Sequence, residues 1–270
     1  MIKLSSYHTH TTFCDGKSSA RDMIETAVSL GCAEIGFSSH SPLPYKESWT
    51  MVEDGIGAYI DALSALREEY ADRIRVYIGM EQDILSPKIK YPIDYVIGSV
   101  HHVECDGRYY SVDESAATTR RAIEEGFCGD VIAYSEKYFE AVSKIYDETH
   151  CDIIGHFDLL TKFLERDPVF SEDDPAYVKV RTRALERLLA TPAVFEVNTG
   201  AISRGYRTSP YPHPDVIDVI RRAGKPLVVT SDTHNASTLD FMINETAEYL
   251  GSLGCRIITS MDELFAYTHK

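Results

Sequence analysis

Two patterns of hydrophobic and polar residues alternate along the chain. Short runs rich in Val, Ile, Phe and Tyr are typical of buried strands, and stretches with apolar residues three and four apart are typical of amphipathic helices. The runs predict strands at 3–7, 33–38, 75–81, 94–100, 151–156, 193–198 and 226–232, and a last short apolar run lies at 255–259. The stretches between them predict helices at 19–31, 57–70, 113–127, 130–148, 175–190, 214–223 and 238–250.

The helix predicted at 19–31 carries signals at both of its ends. Ser19 can cap the first turn, Asp22 lies three residues later, and Gly31 can end the helix. The helix predicted at 57–70 has one apolar stripe, formed by Tyr59, Ile60, Leu63 and Leu66. We therefore expect an amphipathic helix there, with this stripe facing the core.

The alternation of strands and helices predicts a parallel sheet covered by helices. Seven or eight such units in 270 residues favour a closed α/β barrel over an open doubly wound sheet. A dinucleotide fold would carry a Gly-x-Gly-x-x-Gly motif after the first strand, and the sequence has none there. We expect one domain over residues 1–270, because no linker, repeat or low-complexity segment divides the chain.

Composition and charge narrow the range of functions. With 44% hydrophobic residues the chain can bury a full core, and no apolar run is long enough to span a bilayer. The N-terminal sequence lacks the apolar stretch of a signal peptide, so we expect a soluble, cytoplasmic protein without membrane partners. The formal net charge of −15 argues against a broad basic surface for nucleic acid.

Side chains that can bind metals follow almost every predicted strand. His8 and His10 stand two residues apart, and alternate strand residues share a face, so both imidazoles can reach one point. The later strands lead to His40, Glu81, His101, His156, Asn198, and to Asp232 with His234. In a parallel barrel these strand ends meet at the C-terminal face, where active sites form. The sequence therefore predicts one polar site at this face.

The imidazoles and carboxylates of this group suit a centre with several metal ions. The candidate ligands are His8, His10, Asp15, His40, Glu81, His101, His156, Asp232 and His234. One zinc-like ion takes three or four protein ligands, so the set suits two or three divalent ions with a bridging carboxylate. Zn, Mn, Fe and Co all accept such ligands. Cys14 and Cys105 are alternative ligands, although small buried thiols are the favoured interpretation of the scattered cysteines.

The order of these motifs resembles that of the PHP (polymerase and histidinol phosphatase) superfamily of metal-dependent phosphoesterases. The motifs are HTH at 8–10, SSH at 38–40, GME at 79–81, GSVH at 98–101, GHFD at 155–158 and SDTH at 231–234. The resemblance implies a distorted TIM-like (β/α)7 barrel with a trinuclear metal centre at the C-terminal ends of the strands. The segments HTHTTFCDG, GHFDL and EVNTGAISRGYRTSPYP make the chain most similar to the monofunctional histidinol-phosphatases of histidine biosynthesis.

The resemblance also implies which residues hold each ion. The first ion would be held by His8, His10, Glu81 and Asp232. The second would be held by Glu81 as a bridge, His101 and His156. The third would be held by Asp15, His40 and His234. The residues expected to support the ligands by hydrogen bonds are Ser38, Ser39 and Ser231.

The chain departs from its relatives at the positions of two phosphate-binding arginines. Related phosphatases often have an Arg after the GHxDL segment and another after the NT pair. This chain has Lys162 at the first place, and Arg204 and Arg207 at the second. We expect Arg204 and Arg207 to bind phosphate, ahead of Lys162, and Asn198 to line the pocket.

A metal-dependent phosphatase mechanism needs no serine or cysteine nucleophile. Divalent ions lower the pKa of a bound water, neutralise the phosphate dianion and align the attacking and leaving oxygens. Our hypothesis is that a hydroxide bridging the first two ions attacks phosphorus, while Arg204 or Arg207 holds the phosphoryl oxygens. His234, Asp15 and a metal-bound water are the candidates for the proton donor to the leaving oxygen.

Three alternatives to histidinol-phosphatase stay open. Another PHP phosphoesterase, acting on nucleotides or nucleic acid, would use the same chemistry, although the acidic composition weighs against a nuclease. A C–N hydrolase of the amidohydrolase type would use His8, His10, His101, His156 and Asp232. That reading leaves the other candidate ligands unexplained. A non-catalytic metal-binding regulator would keep the ligands without turnover.

Overall fold

A computed structural model describes Leu4 and residues 6–269, and its strands form two sheets. In chain order the strands are β1 (Glu34–Phe37), β2 (Arg75–Asp83), β3 (Tyr95–Ser99), β4 (His102–Cys105), β5 (Arg108–Ser111), β6 (Ile153–Ile154), β7 (Val194–Asn198) and β8 (Leu227–Thr230). The main sheet is parallel throughout, in the order β1-β2-β3-β6-β7-β8. The second sheet is the antiparallel hairpin of β4 and β5.

Helices connect the strands and cover the main sheet. They are α1 (Ala20–Leu30), α2 (Gly55–Glu69), α3 (Ala116–Arg121), α4 (Val131–Thr149), α5 (Pro175–Leu189), α6 (Gly200–Ser203), α7 (Pro214–Arg222), α8 (Ile243–Ser252) and α9 (Met261–Thr268). The predicted capping box of Ser19 and Asp22 is present, and Gly31 ends α1 with a φ of 78°. Within residues 4 and 6–269, no helix combines the length and apolar character that crossing a membrane requires.

The segment 6–10 connects the two edges of the parallel sheet. On one side, the amides of Gly36 and Ser38 donate to carbonyl oxygens of this segment, at 3.2 and 3.0 Å. On the other side, the segment exchanges two hydrogen bonds with Thr233, at 2.8 and 3.1 Å. The predicted strand at 3–7 lies partly outside the described residues. Six strands and this segment surround one interior, which agrees with the predicted (β/α)7-type barrel.

Two of the predicted helices differ from the observed ones at their ends. The helix predicted at 113–127 begins only at Ala116, and its last turn, Ala122–Gly126, is π-helical. The helix predicted at 238–250 begins at Ile243, because a short 3-10 turn occupies Ala236–Thr238. The run at 255–259 forms a single parallel bridge to β8 and no regular strand. Helix α9 was not predicted.

The hairpin of β4 and β5 was also missed by the sequence prediction. Asp106 and Gly107 form its turn, with φ of 49° and 75°. An Asp-Gly pair with two positive φ values is typical of a type I′ hairpin turn, so the local signal was present in the sequence. The hairpin brings His102 and Ser111, which pair across it, to the wall of the cavity described below.

Inward-facing residues become more polar along each barrel strand. Near the N-terminal ends lies an apolar cluster that includes Ile97, Ile153, Val194, Val228 and, from α9, Met261 and Leu264. Along β7, Val194 is followed at every second position by Glu196 and Asn198. Along β8 and just beyond it, Val228 is followed in the same way by Thr230 and Asp232. Because side chains alternate along a strand, this order confines the polar groups to the C-terminal end of the barrel.

Two glycines make room for a tyrosine inside the barrel. A Cβ atom at Gly79 would lie 2.5 Å from ring atoms of Tyr95, and one at Gly36 would lie 2.5 Å from its hydroxyl. This hydroxyl donates to the carbonyl oxygens of Tyr7 and Phe37. Tyr95 thereby links the segment 6–10 to β1 beneath the polar site.

Candidate metal centre

The structure brings all nine predicted ligand residues to the C-terminal end of the barrel. Seven of them line a cavity of about 630 Å³, namely Asp15, His40, Glu81, His101, His156, Asp232 and His234. His8 and His10 lie behind its wall and are fully buried. The site therefore forms at the face that the strand ends predicted.

Glu81, at the C-terminal end of β2, lies at the centre of the cluster. Its Oε2 is 2.7 Å from His40 Nδ1 and 3.2 Å from His8 Nε2. Its Oε1 is 2.8 Å from His156 Nε2 and 3.3 Å from His101 Nε2. Each carboxylate oxygen thus faces at least two imidazoles, which is the arrangement that a ligand bridging two cations needs.

Asp232, which follows β8, faces the paired histidines of the segment 6–10. Its Oδ1 is 3.2 Å from His10 Nε2 and 3.7 Å from His8 Nε2. The backbone of Asp232 has a φ of 45°, in the left-handed region that is uncommon for residues other than glycine. Such strain concentrates at functional sites, where the surrounding structure holds it.

A third group of ligand atoms lies on the more open side of the cavity. Asp15 Oδ1 is 3.3 Å from His234 Nε2 and 3.7 Å from His40 Nε2. The His234 and His10 rings are stacked, with centroids 4.0 Å apart. The third group of ligand atoms is thus in contact with the buried histidines of the segment 6–10.

Four buried atoms that face the centre of the cluster have no hydrogen-bond partner among the described residues: His8 Nε2, His10 Nε2, His40 Nδ1 and Glu81 Oε2. The last two lie close together but without hydrogen-bond geometry. Leaving a polar atom buried and unpaired costs about 1–3 kcal/mol, so a cluster of four needs an explanation. Imidazole nitrogens and carboxylate oxygens that converge in this way suit divalent cations, and the residues present therefore fit a metal centre.

The charges of the cluster shift the pKa values of its members. Burial on its own would lower the pKa of His8, but the surrounding carboxylates, Glu196 first, raise it well above its usual range. Burial on its own would raise the pKa of Glu81, but the surrounding imidazoles, His40 first, hold it well below. Burial and the neighbouring imidazoles lower the pKa of His10. Glu81 is thus ionised and His10 neutral at neutral pH, as metal ligands must be, whereas a cation bound to His8 would have to displace the proton that the carboxylates around it favour.

Two carboxylates that the sequence analysis missed orient these imidazoles. Glu196 Oε1 accepts a hydrogen bond from His8 Nδ1 at 2.6 Å, and its Oε2 accepts one from the backbone amide of His156, also at 2.6 Å. Asp83 Oδ2 lies 2.9 Å from His101 Nδ1. A proton on Nδ1 of His8 and His101 leaves the Nε2 lone pair for the centre of the cluster.

A sequence signal for both carboxylates existed. Glu196 lies two residues before Asn198 in β7, and Asp83 lies two residues after Glu81 in β2. Residues two apart in a strand share a face, so each carboxylate belonged to the face that was already identified as polar.

Among the described residues, the serines beside the ligands contact backbone groups or a threonine hydroxyl and not the imidazoles. Ser38 Oγ accepts a hydrogen bond from the amide of Thr9 at 3.1 Å. Ser39 Oγ is 3.2 Å from Thr11 Oγ1. Ser231 Oγ donates to a carbonyl oxygen of the loop after β8 at 2.7 Å. The hydrogen bonds expected from these serines to the ligands are therefore made by Glu196 and Asp83 instead.

Two of the predicted phosphate-binding residues, Arg204 and Lys162, line the cavity. The Arg204 guanidinium donates to Asp232 O at 2.8 Å and to Asp232 Oδ2 at 3.0 Å. Lys162 Nζ donates to Asp113 O at 2.9 Å and to Asp113 Oδ2 at 3.0 Å. Both cations are thus held in place by acidic residues at the cavity wall.

Arg207 lies outside the cavity, although the sequence suggested it as a phosphate ligand. Its side chain is 2% exposed and contacts Glu172 at 3.3 Å. It also donates to the Thr161 hydroxyl at 2.6 Å and to the Thr161 carbonyl oxygen at 2.9 Å. Its hydrogen bonds are thus used to hold the turn that precedes Lys162.

Asn198 is buried behind Asp232. The sequence suggested that it lines the pocket, but it does not reach the cavity surface. Its Nδ2 donates to Glu196 Oε2 at 3.1 Å and to Asp232 Oδ2 at 3.3 Å.

Cys14 Sγ lies 3.6 Å from His10 Nδ1, and Cys105 Sγ donates to a backbone carbonyl at 2.8 Å. Neither thiol belongs to the groups of side chains that could hold a cation among the described residues.

Comparison with known proteins agrees with this geometry. The family model of the PHP domain matches residues 6–200. A Deinococcus radiodurans protein named "Probable histidinol-phosphatase" is 28% identical, with 96% of this chain and 97% of that protein covered. The histidinol-phosphatase of Bacillus subtilis is 26% identical, with 87% of this chain and 94% of that protein covered.

Similarity of the fold extends over almost the whole chain. The crystal structure of the histidinol phosphate phosphatase of Lactococcus lactis, complexed with zinc, L-histidinol and phosphate, is similar with a TM-score of 0.73 and 19% identity. The alignment covers 96% of this chain and 96% of that one. The family resemblance and the barrel predicted from the sequence are thereby confirmed. The chain belongs to the PHP domain family.

Proposed function

We propose that this protein is a metal-dependent histidinol-phosphatase, which converts L-histidinol phosphate and water to L-histidinol and phosphate in histidine biosynthesis. The observation that carries the proposal is the group of four buried, unpartnered ligand atoms around Glu81. Relatives named histidinol-phosphatase, aligned over nearly the whole chain, support the choice of substrate. The L-histidinol and phosphate in the structure of the Lactococcus lactis protein agree with it.

The proposal assigns the cluster to three divalent cations. The first would be held by His8, His10, Glu81 and Asp232, the second by Glu81, His101 and His156, and the third by Asp15, His40 and His234. Ligand atoms within these sets lie 2.8 to 3.7 Å apart, close enough to share an ion. His40 also lies 2.7 Å from Glu81, so its place in the third set rests on the family resemblance. Zinc is the metal that the Lactococcus lactis structure suggests, and manganese and iron accept the same ligands.

Bound cations would supply a nucleophilic oxygen at neutral pH and neutralise the phosphate dianion. The protein's own residues then bind and orient the phosphate. Arg204 presents a guanidinium beside Asp232, and Lys162 presents an ammonium beside Asp113, so phosphoryl oxygens can be held from two directions. Glu196 fixes the ring of His8 and the backbone of His156, which keeps the ligand geometry from changing during the reaction.

Asp15 fits a ligand better than a proton donor. Burial on its own would raise the pKa of Asp15, but the hydrogen bond from His234 and the charge of His40 hold it well below its usual range. Asp15 is therefore a carboxylate at neutral pH. His234, 23% exposed at the cavity wall, is the residue that we propose to lie nearest the leaving oxygen.

A phosphate-release assay on metal-loaded protein tests the proposal. The substrates are L-histidinol phosphate, a set of nucleotides and a short oligonucleotide, and the metal content of the same preparation is measured by elemental analysis. We expect up to three ions per chain, one for each ligand set, and a kcat/KM for L-histidinol phosphate far above those for the other substrates. A preference for nucleotides or oligonucleotides would indicate another PHP phosphoesterase, and release of no phosphate with a full metal content would indicate a regulator.

The variant His40→Ala and its control His269→Ala test the metal centre itself. His40 joins two of the candidate groups of ligands, whereas His269 is an exposed residue at the end of α9. We expect His40→Ala to lose at least one ion and most activity, and His269→Ala to keep both. Normal turnover and normal metal content in His40→Ala would contradict the proposed centre.

A further inference from the structure

One carboxylate of the cavity wall has no use in the proposed metal centre. Glu47 lies in the loop between β1 and α2, lines the cavity and is 34% exposed. It forms no ion pair with a lysine or arginine of the described residues, and its nearest charged contact is His102 Nε2, at 4.0 Å from Oε1. Its charge is therefore available to a bound molecule.

The other carboxylates that line the cavity are already engaged. Asp15 contacts His234, Glu81 and Asp232 contact the buried histidines, and Asp113 is paired with Lys162. Glu114 accepts a hydrogen bond from the Thr118 hydroxyl at 3.0 Å. Glu47 is thus the one of these carboxylates that the described structure leaves with neither a hydrogen bond nor a charged contact shorter than 4.0 Å.

The neighbour of Glu47 is a buried imidazole that also lacks a partner. The His102 side chain is 4% exposed and lines the cavity, and its Nδ1 has no hydrogen-bond partner among the described residues. Its Nε2 faces Glu47 beyond hydrogen-bonding distance. The gap between the two groups is of the size that a donor from a ligand, or a water, would close.

Aromatic rings complete this part of the wall. The Trp49 ring is stacked on the His102 ring at 18°, with centroids 5.9 Å apart, and its edge meets the His40 ring at 4.7 Å. The Tyr45 ring meets the His102 ring at 90°. Trp49 lines the cavity as well, so a flat apolar surface lies beside the free carboxylate, next to the metal ligands.

We propose that Glu47, with His102 and Trp49, binds the organic part of the substrate, and that Glu47 selects phosphomonoesters that carry a cationic nitrogen. This inference rests on the proposed function, because it takes the phosphate to be held by the cations, Arg204 and Lys162. An ammonium group beside the ester then meets the Glu47 carboxylate, while a planar ring lies against Trp49. Glu47 is a specificity residue and takes no part in the cleavage of the ester bond.

The test compares Glu47→Gln with the wild-type protein and with a control variant, Glu53→Gln. Glutamine keeps the size of the side chain and removes its charge. Glu53 is an exposed residue of the same loop that does not line this cavity. The substrates are L-histidinol phosphate, its analogue without the amino group, 3-(imidazol-4-yl)propyl phosphate, and p-nitrophenyl phosphate.

For Glu47→Gln we expect KM for L-histidinol phosphate to rise about tenfold or more, with kcat within about twofold, because a charged hydrogen bond in the bound state is lost. Both parameters for the two phosphates without an ammonium group should stay at the wild-type values. Glu53→Gln should match the wild type on all three. Equal losses on all three substrates, or no change in KM for L-histidinol phosphate, would overturn the assignment of Glu47.

Binding of L-histidinol, measured by calorimetry with the metal-loaded protein, separates this inference from the proposed function. We expect wild-type protein to bind it about tenfold more tightly than Glu47→Gln does. If wild-type protein hydrolyses none of the phosphates, the proposed function fails. The ratio of the L-histidinol affinities of the wild type and Glu47→Gln then tests by itself whether Glu47 binds the ammonium group. If it hydrolyses them and Glu47→Gln binds L-histidinol normally, the function stands and the role of Glu47 is refuted.

Discussion

Glu196 Oε1 lies 2.6 Å from Nδ1 of His8, a residue 188 positions earlier in the chain. Both side chains are fully buried, and Glu196 also accepts hydrogen bonds from the amide of His156 and the hydroxyl of Thr230. One carboxylate therefore holds the ring of one candidate ligand and the backbone of another. Such outer carboxylates fix the tautomer and direction of metal-binding imidazoles.

The first prediction follows from this contact. Both oxygens of Glu196 accept hydrogen bonds, so in Glu196→Gln the new NH2 group must face a donor, either His8 Nδ1 or the amide of His156, and one ligand loses its support. We expect metal affinity to fall by about 10- to 100-fold, as measured by titration with the metal and elemental analysis after dialysis. The control is Glu186→Gln, at an exposed position of α5. Wild-type metal affinity in Glu196→Gln would show that the contact does not orient a ligand.

A second prediction concerns Arg204, which lines the cavity beside Asp232. Arg204→Ala removes a group that we propose to hold phosphoryl oxygens, and charged hydrogen bonds are worth about 1.5–3 kcal/mol. We expect kcat/KM for L-histidinol phosphate to fall by about 10- to 100-fold, as measured by phosphate release from metal-loaded protein. An unchanged kcat/KM would exclude Arg204 from phosphate binding.

A third prediction concerns Arg207, whose loss we expect to lower the stability of the fold and not the binding of phosphate. Arg207→Ala leaves the Glu172 carboxylate, which is 15% exposed, without its cation, and removes the hydrogen bonds to Thr161. Breaking a buried pair from one side costs about 3–5 kcal/mol, and we expect the free energy of unfolding in urea to fall toward that range. Wild-type stability combined with a large loss of phosphate affinity would show that Arg207 reaches the substrate.

The fourth prediction concerns pH and the pair of Asp113 with Lys162. Burial on its own would raise the pKa of Asp113, but the charge and hydrogen bond of Lys162 hold it well below its ordinary value of 3.8. A carboxyl group with a lowered pKa in the folded state adds stability above its unfolded pKa and loses it as the pH falls. We therefore expect the difference in unfolding free energy between the wild type and Asp113→Asn to be largest near neutral pH.

This difference should shrink from about pH 5 to pH 3, with a slope of up to about 1.4 kcal/mol per pH unit. Both proteins are measured by urea unfolding in the presence of a chelator, so that loss of metal at low pH does not contribute. A difference that stays constant over this range, or that grows as the pH falls, would contradict the assigned direction of the pKa shift.

The fifth prediction tests the packing beneath the site. In Gly79→Ala the new Cβ atom would lie 2.5 Å from ring atoms of Tyr95, which is 1% exposed and cannot move outward freely. We expect a loss of about 1–3 kcal/mol in the free energy of unfolding, since overpacking forces a rigid ring from its position. Gly57→Ala is the matched control, because its Cβ would meet no atom within 4 Å in α2. It should stabilise the protein by about 0.5–1 kcal/mol.

The sequence alone predicted the barrel and the nine candidate ligands of the polar site. Strand and helix periods are local properties, and the type of each strand-end residue can be read directly from the chain. In a parallel barrel all these ends share one face, so the fold class by itself brings His8, Glu81 and Asp232 together. The same rule of alternation points to Glu196 and Asp83, each of which lies two positions from a polar residue at a strand end.

The use of each side chain was decided only by the tertiary structure. Arg204 and Arg207 are three residues apart in one segment, yet the first lines the cavity and the second is buried against Thr161. Local sequence does not distinguish them, because the direction of a side chain after a strand depends on how the following turn packs against other elements. Which carboxylate meets which imidazole likewise depends on the stagger between strands far apart in sequence. Residue types therefore determined what chemistry the site contains, and packing determined which atoms take part.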